Sequence, residues 1–272
     1  IGSILYLKNE ISLGQISSFV LYSRRFSGPI REISNLISDM QSSFAASERV
    51  FRFIDEKREE DDKLDAEKLE KVHGKIDMKN VTFSYDLNEK VLENLDISAK
   101  PNTVVAIVGP TGCGKTKIIN LLMRFYNRND GEILVDDKNI DDITKKSMRQ
   151  AYAMVLQDTW LFEGSIYENI AYGNENATLE DVKRVAKLAQ IDDFIEKLPN
   201  GYDTIISGNG DNISKGQKQL INIARAMLID AKMLILDEAT SNIDSKTEIQ
   251  IQNALLEIMK GKTCFIIAHR LS

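Results

Sequence analysis

Eight consecutive residues, Gly109-Pro110-Thr111-Gly112-Cys113-Gly114-Lys115-Thr116, fit the phosphate-loop pattern G-x-x-x-x-G-K-[ST]. Glycines let backbone N–H groups close around phosphate oxygens, and a helix beginning at the lysine aims its positive end at them. In such a loop Lys115 reaches the β and γ oxygens and Thr116 offers a hydroxyl to Mg²⁺. Cys113, inside the loop, reads first as a small residue, and its alkylation is expected to be blocked by bound ATP. A second group of reactive residues ends the apolar run Met233-Leu234-Ile235-Leu236 with Asp237 and Glu238. An acid at a strand tip can hold Mg²⁺ through water, and its neighbour can orient or deprotonate an attacking water. Together the two groups imply phosphoryl chemistry on a triphosphate.

These residues need a scaffold that brings their termini together. Thr103 to Val108, directly before the loop, reads as a buried strand, and Met233 to Leu236 and Cys264 to Ala268 read as parallel core strands. Lys75 to Tyr85 and Val91 to Lys100 are further strand candidates. Helices are expected over Lys115 to Tyr126, Leu179 to Gln190, Lys215 to Ile229 and Ser245 to Met259. Strands alternating with helices imply an α/β sheet; His269, just past the last strand, would by itself read as structural.

The chain has 272 residues, 43% apolar, with a formal net charge of −6. Composition excludes a disulfide scaffold, a fibrous protein and wholesale disorder, and the acidic balance weakens any reading that needs a broad basic face for nucleic acid. Cys113 and Cys264 show no pairing pattern, which suits a reducing, cytosol-facing setting. Residues 55–71 carry nine acids and five bases and read as a solvated linker, with His73 solvated nearby. Before them, Phe26, Ile30, Ile33, Ile37, Met40, Phe44, Phe51 and Ile54 recur in steps of three and four, one stripe along a long helix that needs something to pack on. No stretch reaches about 18 uninterrupted apolar residues, so hydropathy alone reads as soluble.

The motifs together resemble the ATPases of the ABC family. Ile213-Ser214-Lys215-Gly216-Gln217 looks like their signature L-S-G-G-Q, the glycine loop matches Walker A, Gln157 sits like the Q-loop glutamine, and Ser241-Asn242-Ile243-Asp244 resembles the D-loop. His269 matches the switch histidine and Tyr85 the aromatic that stacks on adenine. The resemblance implies a P-loop NTPase (RecA-like) core with an antiparallel β subdomain and a helical signature subdomain near 158–230. It implies ATP and Mg²⁺ as ligands, with catalytic roles for Lys115, Gln157, Glu238 and His269. Tyr85, Gly109 to Lys117 and Asp237 would bind nucleotide, with Thr116, Gln157 and Asp237 at the metal. Ser214, Gly216 and Gln217 would act in trans on a partner's nucleotide, with Asp244 a dimer contact.

Upstream the likeness is to exporters: residues 11–54 resemble the last membrane helix running down to its ATPase domain, which overrides the hydropathy reading because such helices line a polar cavity. Lys8-Asn9-Glu10 would be the external loop and Ile1 to Leu7 the end of a preceding helix; Leu161 to Ile170 resembles the region that meets the membrane domain. The expected division is 1–54 membrane-domain end, 55–74 linker, and 75–272 nucleotide-binding domain with further C-terminal elements missing and some core surface left exposed. Lys215 stands where the family has Gly and Asn209 where exporters carry Glu, as in one half of bacterial heterodimeric multidrug exporters; a homodimer tolerating Lys215 stays open. The implied setting is a cell membrane with the ATPase domain on the cytoplasmic side, a second half-transporter as partner, and no nucleic acid. Two alternatives remain: a soluble ABC ATPase acting on nucleic acid or ribosome, and an ATP-binding regulator that does not turn over.

Overall fold

The computed structural model describes residues 2–56, 58–85, 90–110, 112–156, 159–174, 176–208, 210, 212–237 and 244–268, without the side chains of Lys90 and Ala268. The chain divides into two units, Ile1–Asp61 and Asp62–Ser272.

The first unit holds a short helix, α1 (Gly2–Leu7), and a 42-residue helix, α2 (Leu13–Ile54), separated by a turn at Lys8 to Ser12. Ser12 starts α2 through a reciprocal cap: its Oγ accepts the Gln15 N–H at 3.3 Å while Gln15 Oε1 accepts the Ser12 N–H at 2.7 Å. The hydroxyls of Ser17, Ser27 and Ser34 turn back onto the carbonyls four residues earlier, at 2.9 to 3.0 Å, so each removes its own polarity from the helix surface. None of the residues of α2 is buried, and the expected stripe, Phe26, Ile30, Ile33, Ile37, Met40, Phe44, Phe51 and Ile54, lies exposed. Among the described residues, no helix is long and apolar enough to cross a membrane by hydropathy.

The second unit contains two larger sheets. One is antiparallel, of β1 (Ile76–Ser84), β2 (Lys90–Ala99), β4 (Asp130–Val135) and β5 (Lys138–Asn139) in the order β2-β1-β4-β5. The other is parallel, of β3 (Val104–Val108), β6 (Tyr152–Val155), β9 (Met233–Asp237) and β10 (Thr263–Ala268), in the order β3-β10-β9-β6. A small ribbon pairs β7 (Gly164–Ser165) with β8 (Ile205–Ile206). The helices are α3 (Lys115–Leu122), α4 (Lys145–Gln150), α5 (Ile166–Ala171), α6 (Leu179–Leu188), α7 (Asp192–Glu196), α8 (Lys215–Ile229) and α9 (Ser245–Met259).

The period-two alternation of strands splits the apolar core across the parallel sheet. Met233, Ile235, Phe265 and Ile267 face one cluster with α3 and the antiparallel sheet, while Leu234, Leu236, Cys264, Ala153 and Val155 face the other with α5 to α9. Burial in the second cluster pushes the Cys264 thiol pKa up to about 11. Strand β3 departs from the buried strand expected. It is an edge strand among the described residues, with Val104 and Val108 exposed and Ile107 alone buried, because only β10 pairs with it.

The charged run is not solvated throughout. From Asp62 onward it is strapped to the second unit: the Asp62 carboxylate accepts the Lys145 N–H at 3.0 Å and meets the buried Arg124 at 3.5 Å, and Lys63 pairs with Asp142 at 2.6 Å. Glu67 exchanges backbone bonds with Asp142 and Thr144, and Asp136 gathers the N–H groups of His73, Gly74 and Lys75 on one carboxylate. The acids that looked like solvating charge are in part acceptors for these loops; the His73 side of the strap stays exposed, as expected.

Candidate functional site

The registers align the four parallel strands at one edge. Ile267 of β10 lies opposite Ile107 of β3 and Asp237 of β9, and Val155 of β6 lies opposite Leu236. The phosphate loop leaves this edge after Val108, and Asp237 lies two strands away, level with Ile107. Neighbouring strands are about 4.8 Å apart, so Asp237 and the start of the loop lie roughly 10 Å apart across the edge. A ligand held on the loop would face Asp237 across β10.

Within the loop, Gly112 (φ 87°) and Gly114 (φ 92°) take left-handed conformations that other residues adopt only with strain. A Cβ at Gly114 would also come within 2.9 Å of Leu92. Gly114 is the N-cap of α3 and no side chain caps the first turn; the Lys117 N–H donates to the Gly114 carbonyl at 2.9 Å, and the N–H groups before it are available to a ligand. Lys115 is 5% exposed, and its ammonium donates to the carbonyls of Gly109 at 2.7 Å and Pro110 at 3.0 Å, holding the loop curled around the position of its own charge. A phosphate would replace these two carbonyls as acceptor. Thr116 is exposed in the first turn, as is Cys113. Gly109 stands against the Cys113 thiol: a Cβ there would meet Sγ at 2.7 Å.

Tyr85, at the end of β1, is 50% exposed and not a core aromatic. Lys117 Nζ lies 4.6 Å from its ring centroid, which ties the ring to the first turn of α3. The signature residues stand elsewhere, on the helical cluster. Ser214 caps α8: its Oγ accepts the Gln217 N–H at 3.2 Å and Gln217 Oε1 accepts the Ser214 N–H at 2.8 Å, with Gly216 buried behind them. Ser214 and Lys215 are exposed at the positive end of this helix. Asp244 caps α9, and the Thr247 N–H it accepts at 3.0 Å holds its carboxyl below the usual carboxylate range. Thus Gly109, Pro110, Gly112 to Lys117, Asp237 and Tyr85 belong to one side of the unit, while Ser214, Gly216 and Gln217 belong to the other core. Thr111, Gln157, Glu238, Ser241 to Ile243, Asn209 and His269 lie outside the described residues.

Three residues that sequence reasoning did not single out, Trp160, Tyr172 and Arg225, gather around α5 with Phe162 and Asn169 of the stretch 161–170. Asn169 is fully buried; its Oδ1 accepts from the Phe162 N–H and Arg225, each at 3.1 Å, and its Nδ2 donates to the carbonyls of Phe162 and Ser165. Arg225 also donates to the Asn169 carbonyl at 2.7 Å and the Trp160 carbonyl at 3.0 Å, and stacks over Tyr172 at 5.6 Å. Burial lowers the Arg225 pKa from its usual value. The exposed rings of Trp160 and Tyr172, linked through Phe162, give this face an aromatic patch. Its signal was the Trp160, Phe162, Tyr172 series flanking Asn169.

The ABC transporter family model matches residues 92–241, and the chain belongs to that family. It is 48% identical over 272 residues to an uncharacterized ABC transporter ATP-binding protein of Bacillus subtilis (strain 168), covering 100% of this chain and 45% of that protein. It is 44% identical over 271 residues to a fatty acid ABC transporter ATP-binding/permease protein of Mycobacterium bovis, covering 100% of this chain and 43% of the relative. Identity is 41% over 271 residues to an ATP-dependent lipid A-core flippase of Pseudomonas aeruginosa, 99% of this chain and 45% of that one. The solved structure of a bacterial Atm1-family ABC exporter with ATP bound superposes with a TM-score of 0.75 at 35% identity, over 96% of this chain and 46% of the other. The chain therefore spans less than half the length of these relatives. Its second unit is an ATP-binding ABC ATPase domain with the expected antiparallel sheet and helical part, and a long helix precedes it.

Proposed function

We propose that this chain is the ATP-hydrolysing part of an exporter half, with α2 as the helix that carries its membrane domain down to the ATPase domain. The observation that carries this is the single sheet edge from which the phosphate loop and Asp237 both emerge. In this reading Lys115 and Gly112 to Lys117 hold the triphosphate and Tyr85 faces the base. The Thr116 hydroxyl and the Asp237 carboxylate are hard oxygen donors of the kind Mg²⁺ takes, with Gln157 a third; the metal would neutralise charge between the β and γ oxygens. Glu238 orients and deprotonates the attacking water, and His269 stabilises charge on the transferring phosphoryl group. Ser214, Gly216 and Gln217 sit on a separate core with an exposed helix N-terminus, which suits a role toward a nucleotide held by a second half-transporter, with Asp244 at that contact. Closure of the two domains on ATP would then drive the membrane helices.

Lys215 puts a cation where the signature needs a small residue, and it favours a heterodimer in which this chain lends the weaker signature. Two relatives are named for lipidic cargo, so an amphipathic lipid is the first solute to test. The back-bonded serines of α2 lower the polarity it would carry into a membrane, which supports its placement in a membrane domain; the ATPase domain then lies on the cytoplasmic side. The test is Glu238→Gln in the assembled transporter: MgATP binding is retained and turnover falls at least about a hundredfold, the scale of a lost general base. Hydrolysis at the parental rate would remove Glu238 from this role.

A further inference from the structure

We propose that Tyr126 is a positioning residue for nucleobase binding, fixing the angle of the Tyr85 ring; this rests on the reading of Tyr85 as the face for the base. Tyr85 is half exposed at a strand end, where a lone aromatic turns freely about two torsions. Here it stands in a triangle of rings. Phe83, 3% exposed, contacts it edge-on at 5.1 Å and 75°, and Tyr126 contacts it edge-on at 5.3 Å and 87°. Phe83 and Tyr126 close the triangle at 5.6 Å. Edge-to-face pairs are the preferred geometry of aromatic contacts, so two of them at once define the plane of Tyr85.

What delivers Tyr126 is the end of the phosphate-loop helix itself. Arg124 takes a left-handed conformation (φ 52°) just past α3, and the Phe125 N–H reaches back to the Asn120 carbonyl at 2.8 Å, a turn that reverses the chain. Buried Arg124 is fixed in that turn by Asp62 and the Ile143 carbonyl. One helix thus presents the phosphate loop at its start, touches Tyr85 through Lys117 in its first turn, and returns Tyr126 to the same ring after its last. Tyr126 is 42% exposed and is not one of the buried core residues.

The test is a calorimetric titration of the full chain with MgATP and, separately, with magnesium tripolyphosphate, which has no base. Tyr85→Leu and Tyr126→Leu each weaken MgATP by about two- to twelvefold, the range of an aromatic pair, and leave tripolyphosphate unchanged. Tyr126→Phe, which keeps the ring, binds like the parent, and Tyr126→Leu adds nothing in a Tyr85→Leu background. Tyr126→Thr replaces the leucine variant should that one fail to fold. Parental MgATP affinity in Tyr126→Leu beside a weakened Tyr85→Leu overturns this inference alone. Parental affinity in Tyr85→Leu overturns the reading of Tyr85 and this inference with it. Loss of tripolyphosphate binding in the Tyr126 variants, or additivity in the double variant, assigns the effect to the phosphate loop and overturns the inference.

Discussion

Asn169 holds the segment from Trp160 to Ala171 in one conformation, and its removal is a quantitative test of that hub. Its amide makes four bonds: two accepted, from Phe162 N–H and Arg225, and two donated, to the carbonyls of Phe162 and Ser165. Asn169→Leu is close in volume yet removes all four. At about 1 kcal/mol net per bond the loss is about 4 kcal/mol, and stranding buried Phe162 and Arg225 groups adds to it. For a unit of this size, 1 kcal/mol moves the melting temperature by about 2–4 °C, so the expected drop is about 8–16 °C. Asn169→Asp keeps the acceptor toward Arg225 but sets a carboxylate oxygen against two carbonyls, and it should fall in the same range. Calorimetry of the full chain, with both variants beside the parent, measures this. A transition for Asn169→Leu within 2 °C of the parent would refute the hub.

Three further outcomes are expected. Cys113 is exposed beside Gly109, so a maleimide labels it in the free chain and saturating MgATP slows labelling at least tenfold (about the occupancy limit of a filled site); equal rates would place nucleotide elsewhere. The second unit loses stability in acid. Burial opposes ionisation of Asp141, but the two-pronged Arg128 contact at 2.7 and 3.0 Å outweighs it, and capping N–H groups lower Glu168 and Asp244. Their folded pKa values lie below the unfolded ones, so the stabilisation is full above about pH 5 and vanishes as pH falls through the folded values. Melting temperature should hold from pH 7 to about 5 and then fall; a rise on acidification would contradict this. Arg128→Lys should flatten part of that fall, which a pH series of melting curves measures.

Much of the parallel sheet was legible because its strands are short apolar runs ending in chemistry-bearing residues, and α8 and α9 match the expected bounds through their caps at Ser214 and Asp244. Helix ends without a capping signal were not legible. The expected helix to Tyr126 stops at Leu122, and that to Gln190 stops at Leu188, because Arg124 and Gln190 adopt left-handed conformations that their side chains do not advertise. Strand β6 escaped notice because Tyr-Ala-Met-Val is short and apolar with no alternation, and β4 because it opens on Asp-Gly-Glu. The strap at 62–74 was read as solvated because acids that accept backbone N–H groups have the same composition as acids that face water. Of the site, the glycine loop and Asp237 were readable from spacing, whereas the Tyr126 contact depends on a chain reversal no local pattern encodes.

The most direct measurement of the central claim, that the loop at Gly109 to Thr116 is where ATP binds, is equilibrium binding of MgATP to the chain and to Lys115→Met. The methionine keeps the buried stem and removes the ammonium that now sits on the Gly109 and Pro110 carbonyls. A bond to a charged group is worth about 1.5–3 kcal/mol, so affinity should fall by about ten- to a hundredfold or more. Binding of MgATP by Lys115→Met at the parental affinity would contradict it.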